Sequence, residues 1–196
     1  LEFRRVLFRS ENGFKKKEDA ERLIAELTAE PAGPVTVTGI EKKKENKNAP
    51  LLYNLAELQN DCSKYFKISP DETLRIVQEL YEKKMTTYPR TDARVLSTAV
   101  AKEIHKNIGG LRSYALATPF AKEVLEQGTY KNIAKTRYVN DKQITDHYAI
   151  IPTGQGLNNL AGLAPTAAKV YEVIVRRFLS IFYPPAVYQK VSITTK

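Results

Sequence analysis

The stretch Thr87-Tyr88-Pro89-Arg90-Thr91-Asp92 decides how the rest of the chain is read. Pro89 fixes its own φ and turns the preceding Tyr88 away from helical backbone. A helix reaching about Lys84 must therefore stop, leaving Tyr88 on an irregular segment with Arg90 two residues on and Asp92 two beyond. A phenol beside a guanidinium suits attack on a phosphodiester. The phenol is the nucleophile, and the guanidinium is a planar fork of donors for phosphate oxygens. A free phenol titrates near pH 10, so only about one in a thousand is ionised at neutral pH. A neighbouring cation favours the ionised form. Attack exchanges one phosphoester for another, so the step can run backwards. Such chemistry cuts and rejoins a strand without an external energy source.

His147 is the second candidate, one of only two histidines, between Asp146 and Tyr148 in a turn-rich stretch. It could hold a phosphate or move a proton near neutral pH. A structural loop histidine fits the same residues. Asp92 equally fits a helix cap or a partner for Arg90 or Arg94, and Tyr-Pro-Arg also occurs in ordinary turns. His105, among lysines, reads as surface.

Outward from this segment, Asn54 with Glu57 and Ser69-Pro70 with Glu72 have the spacing of helix start signals. The first helix carries Leu55, Leu58, Cys62, Tyr65 and Phe66 on one face. The second carries Leu74, Val77, Leu80 and Tyr81, and delivers the chain to Tyr88. Together they predict a helix-turn-helix-like unit. Further helices are expected over Ser97 to Ile108, ended by Gly109-Gly110, over Thr118 to Leu125, and over Thr166 to Phe182. Lys131 to Lys142 reads as a basic surface loop, and Gly154 to Pro165 as a Gly/Asn-rich return crossing.

At the ends, Phe14 to Glu26 is amphipathic and closes at Pro31-Ala32-Gly33-Pro34. Val35 to Thr38 and Val187 to Ile193 read as strands, and Glu41 to Lys47 as a solvated charge run. Leu1 to Ser10 matches nothing that follows and is expected to be vector-derived or extraneous. The order predicts an α+β chain, mostly helical. Residues 11–50 and 159–196 would form a β-containing domain into which a helical domain, 51–158, is inserted, with the chain truncated at its end.

Composition narrows the partner. The formal net charge is +9, and the first ten residues contribute only three arginines against one glutamate. The basic bias thus belongs to the remainder and favours a polyanion, most often nucleic acid. One cysteine, Cys62, excludes an intrachain disulfide and a cysteine-rich zinc site. At helical spacing from Leu55 and Leu58 it is expected to be a buried core thiol. There is no apolar run long enough for a membrane helix and no signal peptide is evident, which fits a reducing cytoplasm.

Met85 to Asp92, followed by Arg94 and Leu96-Ser97, resembles the active-site signature of type IA DNA topoisomerases, closest to the bacterial topoisomerase III group. Thr145-Asp146-His147-Tyr148-Ala149-Ile150-Ile151-Pro152-Thr153 resembles that family's histidine motif. Ala49 to Leu55 with Leu58-Gln59, and Val170-Tyr171 through Leu179, resemble the flanking segments in the right order. The resemblance implies that Tyr88 forms a 5′-phosphotyrosyl link to a cut single strand. Arg90 and His147 would contact the scissile phosphate, and Asp92 and Thr91 would support them. Arg94, Lys84 and Arg176 are DNA-binding candidates. It also implies a catalytic domain related to winged-helix modules, inserted in an arch that gates a central hole. Mg²⁺ would be held by an acidic upstream domain with an Asp-x-Asp cluster. No Asp-x-Asp occurs in this sequence, so no metal site is expected here, and the isolated chain should be inactive or weakly active. Ala93, Val95 and Tyr148 depart from the usual family residues. The competing reading is a non-catalytic basic helical module that binds single-stranded DNA, with Tyr88 stacking on a base. A tyrosine recombinase is set aside, because its His-x-x-Arg pair precedes the tyrosine and His147 follows Tyr88.

Overall fold

Local start signals become helices wherever the expected caps form. In the computed structural model, described for residues 16–29 and 36–195, Asn54 Oδ1 accepts from Glu57 N at 2.9 Å and opens α2, Leu55–Phe66. Ser69 Oγ accepts from Glu72 N at 3.1 Å and opens α3, Pro70–Glu82, with Pro70 in the first turn. Ser97 caps α4, Thr98–Gly110, through Val100 N. The remaining helices are α1, Lys17–Thr28, α5, Thr118–Gln127, and α6, Pro165–Ser180. Two strands, β1, Val37–Lys47, and β2, Ala186–Thr195, form a two-stranded sheet. The start of β1 meets the end of β2, where Thr38 Oγ1 donates to Thr194 O, so the pair is antiparallel. Helices predominate and the strands make one small sheet, as the mixed class required.

The chain divides into two compact units: residues up to 45 with 189–196, and residues 46–188. The second holds the core. Leu58 and Cys62 of α2, Ile76, Val77 and Leu80 of α3, Ile104 and Ile108 of α4, and Val170, Ile174 and Phe178 of α6 are all buried together. Burying a side chain of this size contributes about 1.5–3 kcal/mol before entropy is counted. Burial pushes the Cys62 thiol up to about 11, as suits a core cysteine.

Several expectations change. α6 packs on α3 and α2, so its apolar face belongs to the core of the second unit, which runs on to 188. The run Glu41 to Lys47 lies in β1, because β2 supplies its ladder while both faces stay exposed. Gly109 and Gly110 do not end α4 but complete it. A Cβ on Gly110 would sit 2.1 Å from Gly154 O, so the bare backbone lets the 153–156 loop approach. Lys131 to Lys142 is not all surface: Tyr138 is buried and donates to Ala49 O at 2.8 Å. Leu1 to Ser10, expected to be extraneous, Phe14 and the expected stop at Pro31 to Pro34 lie outside the described residues.

The first turn of α4 has a second acceptor. Asp141 Oδ1 takes the Thr98 N–H at 2.8 Å and Oδ2 the Thr98 hydroxyl at 2.5 Å. The hydroxyl bond, then the amide bond, hold its carboxyl below the usual range. A carboxylate with a depressed folded value stabilises the fold above its unfolded value and loses that effect as pH falls through the folded one. Asp141→Asn is therefore expected to lower the thermal midpoint at pH 7, with the difference from the parent closing below about pH 4. Melting curves across that range check it.

Candidate active site

α3 ends at Glu82, Lys83 caps it, and Lys84 turns the chain with φ +61°. A side chain in that left-handed region is strained. Here it is fixed from outside: Lys84 O accepts from Thr153 Oγ1 at 2.5 Å, and Thr153 N donates to Met85 O at 3.0 Å. Gly156 backs the same point. Its φ is +69°, and an added Cβ would lie 2.2 Å from Lys83 O. The glycines of this stretch therefore serve close packing inside the helical unit, where the sequence pointed to a crossing between domains.

Beyond Lys84 the chain is stitched to the histidine segment. Thr86 pairs with Pro152 in an antiparallel bridge. Thr87 N donates to Ile151 O at 3.0 Å, and Thr87 Oγ1 both donates to Ala149 O and accepts from Ile151 N. Thr91 Oγ1 closes the far end by donating to His147 O at 2.9 Å. On its outer side the same segment meets residues 51–53 and 95: Ile150 N donates to Tyr53 O, and Ala149 N to Val95 O. Ala93 and Val95, two departures from the family pattern, are buried and support this backbone.

The stitch brings Tyr88 against His147. The ring centroids are 4.4 Å apart, with planes tilted by 42°. Tyr81 stands on Tyr88 nearly edge-on, at 5.3 Å and 81°. Tyr88 is half-buried and His147 exposed, so the phenol and imidazole sit together on the wall of an open cleft of about 560 Å³. Of the expected site residues, Tyr88, His147 and Lys84 line this cleft, while Arg90, Thr91, Asp92, Arg94 and Arg176 do not. Arg90 is exposed at the middle of a three-residue turn in which Thr91 N donates to Pro89 O, and no described carboxylate pairs with it. Asp92 is also exposed, and its carbonyl accepts from Asn54 Nδ2. Arg94 is a brace, paired with Glu57 at 3.3 Å and donating to Leu52 O. Arg176 is solvent-facing and paired with Glu172 at 2.7 Å. Among the described residues no three His, Cys, Asp or Glu gather as a metal site, so the acidic ligands that Mg²⁺ requires do not fit these residues.

Two residues were misjudged from sequence. Tyr81 was placed on the apolar stripe of α3, but the buried face is Thr73, Ile76, Val77 and Leu80, and Tyr81 is exposed. Arg177, next to Arg176 on an amphipathic helix, fits its polar face by spacing. It is instead the hub of a buried network: its guanidinium donates to Asp61 Oδ2 at 2.9 Å, Tyr53 Oη at 3.0 Å and Leu51 O at 2.9 Å. It also lies 4.0 Å from the centroid of the Tyr53 ring. Tyr53 Oη donates to Asp61 at 2.6 Å, and burial, then that bond, push its phenol up. The only sequence signal was the alternation of Arg176 and Arg177 around the helix.

Comparison with known proteins places this arrangement. The model of a DNA topoisomerase family matches residues 4–196. DNA topoisomerase 3 of Bacillus cereus strain ATCC 14579 is 36% identical over 183 residues, covering 92% of this chain and 24% of the relative. DNA topoisomerase 3 of Bacillus subtilis strain 168 is 35% identical over 173 residues, covering 88% and 23%. The chain thus spans about a quarter of the length of these curated relatives. Full-length topoisomerase I from Thermotoga maritima shares the fold, with a TM-score of 0.57 at 19% identity over 93% of this chain and 28% of that one. With the family model spanning nearly its whole length, this chain belongs to the type IA DNA topoisomerases.

Proposed function

We propose that the chain supplies the tyrosine of a type IA topoisomerase that opens and reseals one DNA strand. The observation that carries this reading is the packing of His147 on Tyr88 in an open cleft, from segments far apart in sequence. Tyr88 Oη attacks the phosphorus of a single strand. The P–O3′ bond breaks, the phenol loses its proton, and the departing 3′ oxygen takes one up. The 5′ phosphate stays on Tyr88. Attack by the 3′ hydroxyl reverses each change and frees the tyrosine. In this reading His147 holds a phosphate oxygen or relays the proton, and Arg90, which no described carboxylate neutralises, holds another. Thr91 fixes the His147 backbone by donating to its carbonyl, and Asp92, exposed two residues after Arg90, is the supporting carboxylate. Lys84, on the rim, and Arg94 and Arg176 are the further DNA contacts of this reading, the last two at the expense of existing ion pairs.

The helical unit is read as an inserted catalytic domain related to winged-helix modules, and the β1–β2 unit as part of the gate or arch. The whole protein would pass strands through that gate and relax or decatenate DNA. Its Mg²⁺ would be held by a separate acidic domain of the same protein and would neutralise phosphate charge. Among the described residues no helix is long and apolar enough to cross a membrane.

The test is a chimera in which this chain replaces the aligned quarter of the Bacillus cereus relative. Incubation with a labelled single-stranded oligonucleotide followed by denaturation is expected to trap a covalent adduct. Tyr88→Phe should remove it completely while leaving non-covalent binding within about twofold, since only a hydroxyl is lost. An adduct that survives in Tyr88→Phe would sink the assignment.

A further inference from the structure

The cleft extends well beyond Tyr88 and His147, and the reaction itself does not use its other wall. That wall has three features. Tyr81 is 40% exposed, so a phenol ring stays open to the cleft on the side away from the core. Tyr148, half-buried, and Gln155 also line it. Thr86 also lines the cleft, is 1% exposed, and its Oγ1 has no hydrogen-bond partner. Buried hydroxyls are nearly always satisfied, so an orphan at a cleft wall points to a group supplied by a ligand. Thr129 Oγ1 and Tyr171 Oη are also unpartnered, but neither lines this cleft. Lys84 completes the set: it is exposed, lines the cleft, and its backbone is held in the left-handed region. Strained backbone of this kind persists where the surroundings over-determine it, and it clusters at ligand sites. A volume of about 560 Å³ is in the range of small-molecule sites.

Aromatic faces, one unsatisfied hydroxyl, an amide and a rim cation are together the chemistry that recognises a nucleotide. A base stacks on the rings, its edge meets the polar groups, and its phosphate meets the lysine. We propose that this cleft is a nucleobase subsite, in which the base adjoining the scissile phosphate stacks on Tyr81 and is met at its edge by Thr86. The subsite rests on the topoisomerase reading for the identity of the strand, and not on the covalent step. By holding the flanking base it fixes the phosphate in front of Tyr88. It also adds a base-dependent contribution to affinity that phosphate contacts alone lack.

The test uses the 196-residue chain and two labelled pentamers of equal charge, pentathymidylate and an abasic deoxyribose-phosphate pentamer, followed by fluorescence anisotropy. Stacking of one base is worth a factor of roughly 5 to 150. Pentathymidylate is expected to bind about tenfold more tightly than the abasic strand. Tyr81→Ala should abolish that ratio and leave abasic binding within about twofold. Thr86→Val, which removes only the orphan hydroxyl, should weaken pentathymidylate about fivefold without lowering the thermal midpoint. A structural role for Thr86 would instead lower the midpoint. Equal affinity for the two pentamers, no detectable binding of either, or a ratio unchanged in Tyr81→Ala would overturn the proposal. Cleavage is not needed for binding, so the two readings fail separately. A preserved ratio with no adduct in the chimera removes the nucleophile and leaves the subsite. An adduct with no ratio does the reverse.

Discussion

Arg90→Ala is expected to slow adduct formation in the chimera by about 10²–10³-fold, the usual cost of removing one preorganised donor from a reaction in which charge builds up on oxygen. The argument rests on what Arg90 does not do in the fold. It sits at the apex of a tight turn, exposed, and no described carboxylate neutralises it. Its replacement should therefore leave stability within about 0.5 kcal/mol, as for an ordinary surface site. Arg90→Lys keeps the charge but loses the fork, and should recover only part of the rate. Arg94 provides the contrast. It is braced by Glu57 and Leu52 O, so Arg94→Ala should affect the melting curve as well as the rate. Single-turnover trapping beside thermal melts separates the cases. A rate for Arg90→Ala within threefold of the parent would remove Arg90 from the reaction.

Arg177→Met is expected to destabilise the chain by about 3–5 kcal/mol, because it leaves the Asp61 carboxylate buried without its partner. The side chains of Arg177 and Asp61 are only 14% and 15% exposed, and Tyr53 and Leu51 O lose a donor in the same step. Replacing both ions, as Arg177→Met with Asp61→Leu, should restore much of the loss, since two apolar groups leave no buried charge. Its neighbour Arg176, 76% exposed and paired with Glu172, should cost no more than about 1 kcal/mol when changed to methionine. Urea titrations measure all of these. The network holds residues 51–53, and Tyr53 O accepts from Ile150 N, so the loss should reach the histidine segment too. A loss under 1 kcal/mol for Arg177→Met would mean that the pair is not the clasp described.

These two arginines also mark where sequence reading stops. Adjacent in the chain, they lie about 100° apart around a helix. Periodicity ranks faces of α6 but does not say that Asp61 and Tyr53 wait opposite one of them. The same limit misplaced Tyr81, which fits the apolar stripe of α3 by spacing but stands edge-on to Tyr88 at the cleft and stays exposed. Caps were legible because they are local: Asn54 with Glu57 and Ser69 with Glu72 each name their partner three residues on. The strand over Glu41 to Lys47 was not, because its partner β2 lies far along the chain and its lysines resemble any solvated run. Within the site, Tyr88 was legible from residue chemistry. The role of His147 came from resemblance, and the threonine stitch that joins the two came from neither. The hydroxyls of Thr87, Thr91 and Thr153 carry that stitch, and threonines so placed look like ordinary β-branched filler until those hydroxyls find partners.

That stitch ties the tyrosine to the packing of the core. Residues 85–91 and 147–153 are joined by hydrogen bonds, and Met85, Ala149, Ile150 and Ile151 sink into the same cluster as α2, α3 and α6. The amide protons of Thr87, Ile151 and Thr153 are therefore expected to exchange slowly, with protection close to that of the core helices. Under the proposed function, the approach of Tyr88 to His147 then comes with folding itself and needs no separate ordering step when a strand arrives.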